Sequence, residues 1–393
     1  FAFFPLMHTH LDAPLHRRTP ITDAADSDLT DMAQATWRYF EETVTEHSRH
    51  LPPVSLQVKP YRGPADVADT ADIGLYLLSL LAAKELSLIS AEVMASRMSA
   101  TADTLALLPT WHGLPYRRYL LATLLPEAPG YVSAEACGIY GACLRCAAQG
   151  LRACLSDVPE ALRDLPARLD ALAQALDWRS LYDAEASQFY QGVHTDSDTP
   201  EGHHSLYASP ALLCSYLAVM SRQAPLHHFA ALSTVRAAQG REAPLCSPTG
   251  SAEDYLLALL MLPAAPGSPM ARSVDVLLRE EKRRGHEGMF GLSACAVWAF
   301  DQQMNYQLRP LGLPEMAMEA CSVGPAIVPY ACALGLPFDP AAAHESLTRL
   351  RSHGMLTHLG FYDSLDLDIN RLPDGTEQEP VRTHLSGHQA MVL

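Results

Sequence analysis

Four loops of this 393-residue chain bring aromatic rings together with amide and guanidinium groups. They cover residues 110–116, 301–309, 360–363 and 370–375. Aromatic faces pack on apolar C–H surfaces, and amide and guanidinium groups form directed hydrogen bonds, a combination that suits a sugar ligand. The candidate binding side chains in these loops are Trp111, Tyr116, Asn305, Tyr306, Gln307, Arg309 and Tyr362. The alternative is that the rings belong to the core of a large protein.

The cysteines and histidines do not form a recognisable metal-binding pattern. There are nine cysteines, an odd number, and several lie in apolar runs, which favours reduced, buried thiols over a disulfide framework. Cys143 and Cys146 form a CxxC pair, but no second pair or histidine cluster completes a zinc site. His8 and His10 are two residues apart in a linker-like segment, where such a pair is usually incidental. We therefore predict no metal and no other cofactor.

The composition limits the class of partner. The net charge of −16 argues against nucleic acid or anionic lipid, because both are polyanions that attract Lys and Arg. A neutral sugar is compatible with this charge. Hydrophobic residues make up 48% of the chain and charged residues 18%, which is enough apolar material for a large core. No apolar run reaches the ~20 residues of a membrane span.

Apolar residues recur at three- and four-residue spacing in a series of segments, which predicts about ten helices packed on one another. Asp28 is a plausible N-cap for the first helix. Alternating strand patterns are scarce. The other predicted helices cover residues 72–83, 91–108, 135–156, 159–176, 208–220, 252–262, 270–284, 317–334 and 340–353.

The chain divides into an N-terminal arm and one large domain. Residues 1–28 contain Pro5, Pro14 and Pro20 and are interpreted as a linker or loosely docked arm, and residues 29–393 as the helical domain. The charged run at residues 279–284 is interpreted as the solvated end of a helix. The short apolar start without an initiator Met, and the apolar end, suggest a piece of a larger protein.

Several sequence blocks resemble, in the same order, the glucoamylase-like domain of bacterial cyclic β-1,2-glucan synthases. Residues 36–41 are similar to that family's T-W-R-F-F-E, residues 51–57 to L-P-P-D-N-F-Q, and residues 72–79 to N-I-G-L-Y-L-L-S. Residues 305–314 resemble N-Y-Q-Y-R-A-F-G-V-P, residues 328–331 resemble A-P-Y-A, and residues 360–375 resemble G-F-Y-E-A-L-D-Y-T-P-S-R-L-P-E-G. The end of the chain is similar to H-H-Q-G-M, and the matched blocks add Gln57, His388 and Gln389 to the candidate binding residues.

The resemblance implies an all-α fold, an (α/α)6 barrel. In the synthases this domain cleaves and rejoins β-1,2-glucan to close a ring, and related enzymes hydrolyse the same polymer. The implied partners are a β-glucan and other domains of the same polypeptide. The resemblance, with the free cysteines, favours the cytoplasmic side of a membrane-associated synthase. A shared fold is weaker support for a shared function.

The two catalytic glutamates of the family are missing from this sequence. Glycosyl transfer requires two carboxyl groups that flank the scissile bond. The glutamate of the family's A-S-E-A-R-L is Pro210 here, and that of W-G-I-S-E-S-A is Ala294. Polar positions are lost as well. The Asp and Asn of V-D-S-G-N are replaced at residues 136 and 139, and two further Asp positions are Leu120 and Ser205.

These losses favour a non-catalytic descendant that acts as a scaffold or binds a glucan weakly. The alternative is an active glycoside hydrolase or transglycosylase with relocated carboxylates. Its candidates are Asp254, which precedes Tyr255 where the family often has Glu, Asp301 in a matched loop, and Asp363 beside Tyr362. Each of these could instead cap a helix or pair with an arginine, and Asp301 could hold Arg309. A third possibility is an unrelated helical enzyme.

Overall fold

Twelve α-helices follow one another in a computed structural model that describes residues 22–237, 243–321 and 325–393. In chain order, they are α1 (Asp23–Thr43), α2 (Thr70–Glu85), α3 (Ala91–Leu105), α4 (Ala134–Ala153), α5 (Leu165–Gln174), α6 (Leu212–Met220), α7 (His228–Ala231), α8 (Ala252–Leu256), α9 (Pro269–Arg284), α10 (Pro329–Leu334), α11 (Pro340–Ser352) and α12 (Ser386–Val392). Short 3-10 turns lie at Leu155–Asp157, Glu160–Leu162, Trp178–Leu181, Ala258–Leu260 and Pro314–Met316.

The helices alternate between an outer and an inner ring. The even-numbered helices form the inner ring, in which α2 packs on α4, α4 on α6, and α10 on both α8 and α12. The ring closes because α12, at the end of the chain, packs on α2. Inner helix α2 is apolar on almost every side, as a helix buried on all sides must be, whereas outer helix α9 carries charge on its solvent face. This is the (α/α)6 barrel that the sequence predicts.

The barrel also contains short β-strands, although the sequence shows few alternating apolar and polar patterns. None exceeds seven residues. They are β1 (Ser55–Gln57), β2 (Gly63–Pro64), β3 (Val67–Asp69), β4 (Thr110–Trp111), β5 (Leu114–Pro115), β6 (Arg118–Leu120), β7 (Tyr131–Ser133), β8 (Tyr182–Asp183), β9 (Gln188–His194), β10 (Thr199–His204), β11 (Cys295–Phe300), β12 (Tyr306–Arg309), β13 (Ala326–Ile327), β14 (Leu356–Thr357), β15 (Gly360–Phe361), β16 (Ser364–Asp366), β17 (Glu379–Val381) and β18 (Thr383–Leu385).

Four of these strands precede an inner helix. Strands β3, β7, β13 and β18 lead into α2, α4, α10 and α12. Strand β1 pairs antiparallel with β18, so Gln57 lies opposite Thr383 and the two ends of the domain are joined. Polar caps then start the helices: the Asp69 side chain accepts from Ala71 N on α2, and Ser251 accepts from Asp254 N on α8. The N-terminal ends of the inner helices are therefore fixed at one end of the barrel.

Two large apolar clusters form the core between the rings. One contains Trp37, Phe40 and Tyr76, and the other contains Tyr255 and Phe290. All nine cysteines are free, and seven of them are buried. In the described ranges, no helix combines the length and the apolar composition that crossing a bilayer requires.

The first helix begins earlier than predicted. Thr22 caps α1, so the helix starts at Asp23 and the boundary predicted at residue 28 lies within it. Asp28 is not a cap, because its carboxylate binds Arg351 Nη1 at 2.5 Å and His344 Nε2 at 3.0 Å on α11. Of the predicted arm, residues 1–21, with His8 and His10, lie outside the described residues.

Other differences have local causes. Among the described residues of the predicted helix at 317–334, the helical ones are Pro329–Leu334; the helix starts at Pro329 because the residue before a proline disfavours the α conformation, and Val328 is extended. The predicted helix at 159–176 starts at Leu165 instead, with Pro166 in its first turn. The C-terminal helix α12 was not predicted. In the charged run at the end of α9, Glu281 is 3% exposed and so is not solvated.

Candidate functional site

A cavity of about 510 Å³ lies at the N-terminal ends of the inner helices. Four of these helices contribute a side chain from their first turn to its wall: Asp72 from α2, Glu135 from α4, Glu253 from α8 and His388 from α12. The loops that enter the inner helices supply much of the remaining wall. Their polar and aromatic members include Gln57, Asp69, Arg117, Arg118, Asn305 and Tyr306. The cavity is therefore polar and central to the barrel.

Three carboxyl groups in this cavity have raised pKa values. Burial, reinforced by the nearby Glu253, raises the pKa of Glu135 to about 7. Burial and the neighbouring Asp69 raise the pKa of Asp72, and burial also raises the pKa of Glu253. A carboxyl that keeps its proton donates a hydrogen bond as well as accepting one. Near neutral pH, the cavity therefore offers carboxyl groups in both roles.

An ion pair between a partly exposed arginine and a buried aspartate supports one wall of the cavity. Arg117 Nε lies 2.5 Å from Asp69 Oδ2, and the other oxygen of Asp69 accepts from Ala71 N at 2.9 Å. Asp69 is therefore both the cap of α2 and the partner of Arg117. The guanidinium of Arg117 lowers the pKa of Asp72, Glu135 and Glu253, in opposition to burial. This positive charge holds the acidic groups together at the cavity.

His388 is oriented by a buried carboxylate. Its Nδ1 lies 2.6 Å from Asp363 Oδ1, and Asp363 Oδ2 accepts from Ala296 N at 2.6 Å. Burial disfavours the imidazolium of His388, but the charge and hydrogen bond of Asp363, with Glu253 and Asp72 nearby, raise its pKa overall. With Nδ1 engaged, Nε2 is the ring nitrogen left for the cavity. A histidine held in this way is suited to proton transfer or to hydrogen bonding with a ligand.

Tyr330 connects His388 to Glu253. The rings of Tyr330 and His388 are stacked, with their centroids 3.9 Å apart. The Tyr330 hydroxyl lies 3.0 Å from Glu253 Oε2, 2.8 Å from Ser293 Oγ and 2.9 Å from the carbonyl oxygen of Ala294. The carboxyl of Glu253 is thus held beside Ala294, the position where the family resemblance implies a catalytic glutamate.

Four of the candidate binding residues line the cavity: Gln57, Asn305, Tyr306 and His388. Gln57 organises two loops, because its Nε2 donates to the carbonyl oxygens of Pro60 and Met304 and its Oε1 accepts from Tyr306 N. Asn305 is held in turn by the carboxylate of Asp301.

The other six candidates do not line the cavity. Trp111 contacts His112 edge-on and packs against the core, and Tyr116 packs edge-on against Tyr119. Gln307 accepts from Arg309 on the surface of strand β12. The ring of Tyr362 packs on His384, and Gln389 is buried and donates to the Phe361 carbonyl. None of these six side chains lines the cavity, so their assignment to the binding site stays a prediction.

Each of the three candidate catalytic carboxylates has protein partners. Asp254 Oδ2 accepts from Ser247 Oγ, Thr249 N and Thr249 Oγ1, and so stabilises the turn before α8. Asp301 is exposed and accepts from Asn305, which lowers its pKa, and it does not hold Arg309. Asp363 is buried and does not line the cavity, although it binds His388 and Ala296, which do. The geometry gives none of the three a direct contact with a ligand in the cavity.

The acidic residues that do line the cavity lie, in the sequence, next to or within positions that the family resemblance singles out. Glu135 immediately precedes Ala136, where the resemblance implies an Asp, and Glu253 immediately precedes Asp254. Asp72 opens the block that resembles N-I-G-L-Y-L-L-S. At the two positions where the resemblance implies a catalytic glutamate, Pro210 is buried and Ala294 is half-buried. The described ranges contain no group of three or more His, Cys, Asp or Glu side chains arranged to bind a metal ion.

Comparison with known proteins finds a family model and a curated protein that match this sequence. A family model described as a protein of unknown function (DUF3131) matches residues 31–136. Cyclic beta-(1,2)-glucan synthase NdvB of Rhizobium meliloti is 22% identical over 496 aligned residues, which cover 94% of this chain. The chain spans 18% of that synthase.

Solved structures share the fold along nearly the whole chain. The endo-β-1,2-glucanase of Chitinophaga pinensis matches 95% of this chain and 91% of its own, with a TM-score of 0.72 and 15% identity. The endo-β-1,2-glucanase of Talaromyces funiculosus, solved with sophorose, matches 93% of this chain and 83% of its own, with a TM-score of 0.70 and 10% identity. The chain is thus homologous to a segment of the cyclic β-1,2-glucan synthase. Its fold is the glucoamylase-like (α/α)6 barrel, as the sequence predicts.

Proposed function

We propose that this domain binds a β-1,2-linked glucan in the central cavity and does so without cleaving it. The homology to a β-1,2-glucan synthase and the fold shared with β-1,2-glucanases support a glucan-related function. Because the chain spans 18% of the synthase, we further propose that it works together with other domains of a larger polypeptide. Its role is then to hold a glucan, or to act as a scaffold beside the glucan-processing domains.

The observation that carries the proposal is the polarity of the cavity. Carboxyl groups, a guanidinium group, an imidazole and amides surround a volume within the range that proteins use for small ligands. Glu135 and Asp72 make no side-chain hydrogen bond within the described parts of the protein, so both can pair with sugar hydroxyls. Each hydrogen bond between a ligand and a charged or ionisable group contributes about 1.5–3 kcal/mol in favourable cases.

The proposal of a non-catalytic role rests on Pro210 and Ala294. Neither side chain donates a proton or attacks an anomeric carbon, and loss of acid–base or nucleophilic groups usually reduces rates by orders of magnitude. Purified protein incubated with linear β-1,2-glucan should therefore release no sugar above the buffer control. The assay is product analysis by chromatography.

Binding can be tested by calorimetry with β-1,2-glucan oligosaccharides. We expect a dissociation constant of about 1 mM, equivalent to roughly −4 kcal/mol. Glu135→Ala removes a cavity group without breaking a protein hydrogen bond and should weaken binding at least tenfold. Glu92→Ala, on the exposed surface of α3, is the matched control and should leave binding unchanged. Absence of binding at ~10 mM ligand would leave the scaffold role as the better account.

A second candidate function, glycoside hydrolysis or transglycosylation, is favoured by one observation. Glu253 lies beside Ala294 and is linked through Tyr330 to His388, which offers Nε2 to the cavity. A proton donor and a carboxylate on either side of a glycosidic bond are the minimum that hydrolysis requires. In this account, Asp363 positions His388 and does not touch the substrate.

The two candidates differ in one assay. If linear β-1,2-glucan is cleaved, Glu253→Gln and His388→Gln should both abolish product formation while glucan binding persists. Asp254→Asn and Asp301→Asn are the controls, because neither carboxylate itself lines the cavity. Product formation that depends on Asp254 or Asp301 would restore those residues as the catalytic acids.

A further inference from the structure

An exposed aromatic ring lies on the hairpin that contains Gln57, a residue that lines the cavity. Tyr61 is 78% exposed, in the connection between β1 and β2. Its hydroxyl end lies against Gly63, since a Cβ atom added to Gly63 would be 3.4 Å from Tyr61 Oη. Gly63 pairs with Gln57, which lines the cavity. One part of the ring therefore rests on the hairpin that borders the cavity, and the rest is open to solvent.

Two exposed apolar side chains lie on the neighbouring hairpin. Met304 is 49% exposed and Leu308 is 57% exposed, in the segment that connects and includes strands β11 and β12. Gln57 Nε2 donates to the Met304 carbonyl at 2.8 Å, which ties this hairpin to the loop of Tyr61. Leu308 itself lines the cavity. We call Tyr61, Met304 and Leu308 the apolar rim.

The apolar rim is continuous with the cavity, so a ligand that is longer than the cavity would extend over the rim. A cavity of about 510 Å³ holds only a short stretch of a polysaccharide, so a longer chain must leave through the mouth. An exposed tyrosine is amphipathic: its ring packs on apolar C–H surface while its hydroxyl stays hydrated. The alternating apolar faces and hydroxyl edges of a glucan match such a surface.

We propose that the apolar rim is an outer subsite that binds the sugar units of a β-1,2-glucan that extend beyond the cavity. The proposal rests on the proposed glucan-binding function and extends it to the length of ligand recognised. Tyr61 supplies the stacking surface, and Met304 and Leu308 extend it towards the cavity. Affinity should therefore increase with chain length, since only longer glucans reach the rim.

The test compares two ligands, the disaccharide sophorose and a long linear β-1,2-glucan, by calorimetry with the full chain. Tyr61→Ala should weaken binding of the long glucan roughly three- to tenfold, the range that one aromatic contact provides. Binding of sophorose should not change. Tyr61→Phe retains the ring and should bind both ligands like the wild type, and Met304→Ala should reproduce the length-dependent loss, because Met304 does not line the cavity.

Leu226→Ala is the matched control. Leu226 is 74% exposed and follows the C-terminal end of inner helix α6, at the opposite end of the barrel from the cavity. Unchanged affinity of Tyr61→Ala for the long glucan would overturn the outer subsite and leave the rim as a contact surface for another domain. An equal loss for both ligands would also overturn it. Failure of the wild type to bind either ligand would overturn the proposed function itself.

Discussion

The Nδ1 atom of His388 lies 2.6 Å from Oδ1 of Asp363, and the side chain of Asp363 has no exposed surface. The second carboxylate oxygen is bound to Ala296 N, so neither residue can turn without breaking a hydrogen bond. This arrangement joins the start of α12 to strand β11 and leaves His388 Nε2 towards the cavity. It also fixes which ring nitrogen carries the first proton.

We predict that Asp363→Asn lowers the pKa of His388. The carboxylate raises that pKa against the effect of burial, and a neutral amide removes the charge. The titration of His388 should move to lower pH in imidazole NMR spectra, with the resonance assigned by comparison with His388→Gln. Asp301→Asn, which alters an exposed carboxylate that does not itself line the cavity, should not move it. An unchanged titration in Asp363→Asn would contradict the assigned role of Asp363.

Glu281 should make stability depend on pH. Burial raises its pKa from 4.5 to about 8, although Leu292 N donates to its Oε2. The folded state holds this proton more tightly than the unfolded state does, so protonation of Glu281 adds to the free energy of unfolding. This contribution is complete below about pH 4.5 and is lost as the pH rises through about 8. Glu281→Gln removes the ionisation. At pH 9, we expect it to raise the free energy of unfolding by on the order of 1–3 kcal/mol relative to the wild type.

The measurement for Glu281 is urea unfolding at pH 5 and pH 9. Glu280→Gln is the control, because that side chain is partly exposed and pairs with Arg283 on the surface. The difference between wild type and Glu281→Gln should appear only at the higher pH. Parallel stability profiles for the two proteins would show that Glu281 ionises without cost.

Gly138 should be intolerant of a side chain. A Cβ atom at this position in α4 would lie 2.6 Å from Cys214 N and 2.9 Å from Cys214 Cβ on α6. Because backbone cannot move aside easily, Gly138→Ala should lower the free energy of unfolding by about 1–3 kcal/mol. At Gly141, the nearest atoms are the ends of the Leu176 and Leu217 side chains.

Gly141→Ala is therefore the matched comparison for Gly138→Ala. Leucine side chains can repack, and alanine is favoured over glycine within a helix by up to about 1 kcal/mol. We expect a much smaller change in the urea midpoint than for Gly138→Ala. Equal destabilisation by both substitutions would indicate that α4 and α6 adjust as a unit.

Trp111→Ala should separate folding from binding. Trp111 packs on the core and lies outside the cavity wall, so its removal should lower the melting temperature. Affinity for a short β-1,2-glucan should stay within about twofold of the wild type, which is a change in binding free energy of less than about 0.4 kcal/mol. A large loss of affinity at temperatures where the variant remains folded would return Trp111 to the binding site.

Much of the architecture follows from the sequence alone. The apolar periodicity predicts the helices, and α2 is found within two residues of its predicted bounds because it is apolar along its whole length. The ordered blocks also carry the resemblance to the glucan synthases. The prediction that Pro210 and Ala294 replace catalytic glutamates also comes from these blocks, and neither residue type carries a carboxyl group.

The identity of the cavity side chains required the tertiary structure. Successive residues of a helix point about 100° apart, so one position decides whether a carboxyl faces the cavity or the wall. Glu253 faces the cavity while Asp254 caps a turn, and Glu135 faces it while Ala136 is buried. Sequence spacing does not reveal which of two neighbouring residues points inwards, because the packing of the ring sets the rotation of each inner helix.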